Sequence, residues 1–154
     1  MRSTQWQSRE RGTQIVEMAV ALPLLLFMAL VVIEGASLVR THQVLNNAAR
    51  EGARFSIILT NKDNPATGFN GTNAIKDRVV AYAAANGVTI TRSNVTINQC
   101  ALITSPSGLT YSTSLVVVQL NYTLRYLPRI PFTSAPTTVP LAGRAQFRNF
   151  YGCN

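Results

Sequence analysis

At 154 residues the chain has room for an N-terminal anchor and one small domain, but not for a multidomain enzyme. Fourteen Lys and Arg against six Asp and Glu give a net charge of +8, yet no two basic residues are adjacent. A clustered nucleic-acid surface is therefore not expected, and the charge reads as a basic but unspecialised exterior.

Residues 1–12 are polar and carry Arg2, Arg9 and Arg11; they read as a basic leader or cytoplasmic tail without fixed structure. A long helix is expected to start near Thr13. Met18 to Ile33 contains no charge, and Ile15 to Val39 is interrupted only by Glu17, Glu34 and a few small or polar residues. At 1.5 Å per residue this stretch covers about 37 Å, more than the roughly 30 Å of a bilayer's hydrocarbon core. Residues 13–39 are thus expected to form a single transmembrane helix, with membrane lipids as its first partner. Pro23 lies inside it and removes one backbone hydrogen bond, so a bend or local loosening is expected there. A cleaved secretory signal fits poorly, because the nearest small-residue site, Glu34 to Ser37, has a charge inside it.

Basic residues flank the helix almost equally, with Arg40, Arg50 and Arg54 on the far side, so charge alone does not orient it. The cysteine pair and the strand-rich C-terminal part favour tail inside and domain outside. That places the chain in the inner, cytoplasmic membrane as a single-pass protein, with 40–154 as an exported domain.

Leu38, Leu45, Gly52 and Leu59 recur every seven residues, with Thr41, Ala48 and Phe55 between them. This stripe predicts that the helix continues past the membrane and packs on its own domain. Asn61 to Thr72 reads as a loop. Asn73 to Asn86 has helical spacing at Ile75, Val79, Val80, Ala83 and Ala84, with Asn73 as cap and Gly87 as a left-handed stop. Val88–Thr91, Val95–Asn98, Leu109–Tyr126 and Leu141–Phe150 read as strands, and the proline-rich 127–140 as an irregular connection. The expected fold class is α+β: a long N-terminal transmembrane helix running into a small pilin-like domain with a second helix and an antiparallel sheet of three or four strands.

Catalytic chemistry is missing from the pattern. His42 is the only histidine and sits on the long helix; no two carboxylates pair as acid and base. No zinc-type spacing and no phosphate-binding glycine loop occurs, since neither Lys62 nor Lys76 follows a glycine. No cofactor, metal or enzymatic activity is expected. Cys100 and Cys153 are an even pair in a domain expected outside the cytosol, which predicts one disulfide.

Two residues are odd for a plain tether. Glu17 lies near the inner end of the anchor and Glu34 near the outer end, about 25 Å apart along a helix. Charged groups in a bilayer are costly, so they are placed at interfaces or paired. Glu34 reads as an interfacial side chain reaching for water. Glu17 is the fifth residue counted from Thr13, directly after Gly12.

Glycine followed at that spacing by glutamate resembles the prepilin peptidase site of type IV pilins and pseudopilins. The stretch from Gly12 to Arg54 resembles the TadE-like family of the tight-adherence (Flp) pilus machinery. The matching positions include Val16, Glu17, Ala19, Leu22, Pro23, Ile33, Glu34 and Gly35, then Asn47 to Glu51, Ala53 and Arg54. It departs at Thr13, at Met18, where the family usually has Phe, and at Ala36. The resemblance implies a pseudopilin or minor pilin made as a precursor and cut between Gly12 and Thr13, with Glu17 completing the processing site. It implies that Glu17, Pro23 and Glu34 serve assembly of an adhesive pilus. The implied partners are prepilin peptidase, other pilins and pseudopilins, and the assembly platform proteins that supply energy from the cytoplasm. The rival reading, from composition alone, is a membrane-tethered binding module on the cell surface, adhesin-like and outside any filament.

Overall fold

The computed structural model describes residues 4–58, 71–125 and 137–148, with side chains from Gln14 onward in the first of these. The long apolar run and the heptad stripe that follows it form one unbroken helix, α1 (Thr4–Ser56), which passes straight through Pro23. It starts well before the expected Thr13. The residues ahead of Gly12 are rich in Gln, Arg and Glu, which favour helix, and extending an existing helix is cheap compared with nucleating one.

The expected loop at 61–72 lies almost wholly outside the described residues; α2 (Gly71–Ala85) is close to the expected bounds. Its end is a Schellman motif. Val88 N–H donates to the Ala83 carbonyl at 2.9 Å, Gly87 N–H donates to Ala84 at 3.0 Å, and Gly87 takes a φ of 78°. Val88–Thr91, read as a strand, is not one. Ile90 is buried, but among the described residues no strand pairs with it, and the chain turns through a 3-10 turn at Arg92–Asn94.

Three antiparallel strands follow in sheet order β1-β2-β3: β1 (Val95–Thr104), β2 (Thr110–Thr123) and β3 (Thr138–Arg148). The register of β1 slips between Asn98 and Ala101, a bulge that contains Cys100; its N–H donates to Asn98 Oδ1 at 3.1 Å. Pro140 lies within β3 opposite Asn121, which is tolerated because β3 is an edge strand.

The chain divides into two compact units: residues 1–37 with 124–135, and residues 38–123 with 136–154. In the second unit, Leu45, Ala48, Ala49 and Ala53 of α1 are fully buried with Ile75, Val79 and Ala83 of α2 and with Val116 and Val118 of β2. Two glycines set how closely α1 lies on its neighbours. A Cβ on Gly52 would collide with Val79 and stand 3.4 Å from Val116. A Cβ on Gly143 would run into the backbone of Leu45 and lie 2.6 Å from the Asn46 nitrogen. Asn46 Oδ1 then accepts the Arg144 N–H at 3.3 Å, pinning helix to strand. Farther along, the buried hydroxyls of Ser56 and Ser114 bond to each other, and Ser56 also donates to the Ala53 carbonyl at 2.7 Å.

Candidate functional site

The first half of α1 behaves unlike a core helix. Its most apolar window has a mean hydropathy of 2.6 and no buried share. Val20 is 71% exposed, Leu25 69% and Val32 70%. Side chains of this kind around the whole circumference of a helix need an apolar surrounding that the described residues do not supply. Among the described residues, α1 is the one helix long and apolar enough to cross a membrane.

The residues expected to form a processing site lie in regular helix. Gly12 and Thr13 fall within α1, though their side chains are outside the described residues. Glu17 is exposed and lines an open hollow with Gln14, Met18 and Ala21, which share its helix face. Pro23 follows on the same exposed stretch. The carboxylate at Glu17 is therefore presented outward, within reach of a neighbouring molecule rather than folded into this one.

Glu34 is different, and the expectation that it reaches out to water is corrected. It is 2% exposed, the first fully buried residue along the described part of α1. Its Oε2 accepts the backbone N–H of Arg125 at 3.0 Å, just after β2 ends. Ser37, one turn on, donates to the Ile33 carbonyl at 3.0 Å. Burial without such a partner would be costly for a carboxylate; a charge-assisted bond to a backbone donor offsets it. Glu17 and Glu34 are not brought together, because they lie seventeen residues apart on one continuous helix.

Arg125 was missed by sequence reasoning. Its partner lies 91 positions away, and the group that matters is a backbone N–H that every non-proline residue owns. No spacing could have marked it.

Cys100 sits in the bulge of β1, and Cys153 lies outside the described residues. His42 is exposed beside Asn46, whose Nδ2 lies 3.4 Å from its ring nitrogens. Among the described residues, no group of three or more His, Cys, Asp or Glu could hold a metal ion. Two acids of the second unit pair with arginines: Glu51 with Arg78 at 2.8 Å, and Asp77 with Arg92 at 2.5 Å. Asp77 holds the Arg92 guanidinium above its ordinary pKa, first by hydrogen bonding and then by charge.

The model of the family described as TadE-like protein matches residues 12–54. No curated protein and no solved structure matches the chain. The matched segment lies wholly inside α1 and contains Gly12, Thr13, Glu17, Pro23 and Glu34. It covers the same residues, Gly12 to Arg54, that carry the resemblance described above. Helix α2 and the sheet lie outside it.

Proposed function

We propose that this chain is a membrane-anchored pseudopilin or minor pilin that acts in assembly of an adhesive tight-adherence pilus. The observation that carries the reading is the coincidence of the TadE-like match with one continuous helix. The first half of that helix exposes a long apolar run, and its second half contributes the core of a small α+β domain. On this reading α1 spans the inner membrane once, with the sheet domain outside the cytosol. Prepilin peptidase removes residues 1–12, leaving Thr13 as the new N-terminus, and Glu17 meets a cationic group on an adjoining subunit. Work is done by association with other pilins and the assembly platform, not by catalysis.

The test is co-purification of the tagged chain with pilus components from the host's membranes, with N-terminal sequencing of the recovered protein. Association, together with a sequence starting at Thr13 only when the peptidase is present, supports the reading. A chain that associates with no pilus component, and whose deletion leaves piliation intact, returns the function to a tethered surface module.

A further inference from the structure

Counting 1.5 Å per residue, Glu34 lies about 29 Å from Ile15, where the apolar run begins. That is the thickness of a hydrocarbon core, so on the membrane reading Glu34 stands at the outer boundary between acyl chains and headgroups. The chain spends a buried carboxylate there on holding a backbone N–H, that of Arg125. Glu34 and Arg125 belong to the same compact unit, so the contact is internal to the anchor's own cluster. The Arg125 side chain is exposed, and among the described residues it makes no ion pair. The bond holds the Arg125 backbone at that height; the exposed guanidinium it carries, planar and rich in donors, suits the phosphates of a lipid surface.

We propose that Glu34 is a positioning residue that holds Arg125 at the membrane surface, and that the Arg125 guanidinium binds the phosphate of an anionic phospholipid headgroup. This rests on the membrane reading of α1 and adds a lipid contact to it. The arrangement makes a prediction with an unusual sign. Removing a carboxylate beside an anionic surface should, by charge alone, strengthen anionic-lipid binding or leave it unchanged. If Glu34 acts through placement of Arg125, its removal weakens that binding.

The experiment uses the full chain in nanodiscs of phosphatidylcholine containing phosphatidylglycerol, with retained phosphatidylglycerol measured by native mass spectrometry. Arg125→Gln should lower retention roughly fivefold, the effect of one basic side chain near an anionic surface. Arg148→Gln, on β3, should change it little. Glu34→Leu should lower retention as Arg125→Gln does, whereas Glu34→Gln keeps an acceptor oxygen and should retain most of it. Equal losses for Arg125→Gln and Arg148→Gln overturn the lipid contact. Unchanged or increased retention for Glu34→Leu overturns the positioning role. If circular dichroism shows that Glu34→Leu has lost its fold, Arg125→Gln and Glu34→Gln decide, and a loss for Glu34→Gln as large as that for Arg125→Gln counts against placement by an acceptor. Release of the wild-type chain from cell membranes by alkaline carbonate would instead refute the anchor itself, an outcome separate from any of these.

Discussion

Gly143→Ala should destabilise the sheet domain far more than one added methyl suggests. In a strand, replacing glycine by alanine ordinarily helps by about 0.5–1 kcal/mol, because the unfolded chain loses freedom. Here the new Cβ would enter the backbone of Leu45 and lie 2.6 Å from the Asn46 nitrogen. Those atoms belong to a hydrogen-bonded helix and cannot turn aside as a side chain would. Either α1 lifts from β3 or the strand shifts against Val118, its partner in β2. Lifting α1 also stretches the Asn46–Arg144 bond and opens the packing around Leu45. Overpacking of this kind costs roughly 1–3 kcal/mol, so the net loss should be about 2 kcal/mol. With a urea slope of about 1–3 kcal/mol/M, the midpoint should fall by roughly 1 M. The measurement is urea unfolding of the full chain in detergent micelles, followed by near-UV circular dichroism from the domain's tyrosines. Gly35→Ala, a helical site where a Cβ meets nothing within 4 Å, is the control and should leave the midpoint unchanged or slightly raised. A Gly143→Ala midpoint equal to or above wild type would refute the claim that backbone contact sets the helix-to-strand distance.

The paired hydroxyls should respond unequally. Because Ser56 gives its proton to Ala53, Ser114 must be the donor between them, so Ser56→Ala strands a buried donor and costs about 1–3 kcal/mol, while Ser114→Ala costs less; a larger loss for Ser114→Ala in the same urea assay would reverse the assignment. Glu17→Gln should leave insertion and domain unfolding as they are but reduce co-purification with pilus components several-fold; full association would make Glu17 a tolerated interfacial acid. A disulfide between Cys100 and Cys153 should leave no thiol to alkylate in non-reduced protein, and its removal should cost about 4 kcal/mol in the chain-entropy account; two alkylatable thiols in the exported protein would end the idea. Asp77→Asn, at an exposed pair, should leave the thermal midpoint unchanged, and a clear fall would mean that the bond to Arg92 carries more than such pairs usually do.

What could be read in advance follows periodicity. The seven-residue recurrence of Leu38, Leu45 and Gly52 announced a helix with one face committed to packing, and Leu45 and Gly52 are buried as expected. Gly87 announced the end of α2 because a left-handed residue there has few alternatives. Alternation misled at Val88–Thr91, since one inward side chain, Ile90, gives the same pattern whether or not a strand lies alongside. Glu17 was marked by its spacing from Gly12. The role of Glu34 was not legible, because its partner is set by tertiary placement of a backbone amide, on which sequence pattern is silent.

Because α1 supplies both the apolar run and the buried Leu45, Ala48, Ala49 and Ala53, no peptide bond separates an anchor from a finished domain. A protease cutting beyond Leu38 would carry off part of the core with the stalk, and the released piece would have exposed apolar surface in place of a packed helix. The sheet domain therefore cannot be released in native form by a single cleavage near the end of the helix. A soluble fragment for biophysical work has to begin at or before Leu38, keeping the last turns of α1 on the sheet they cover.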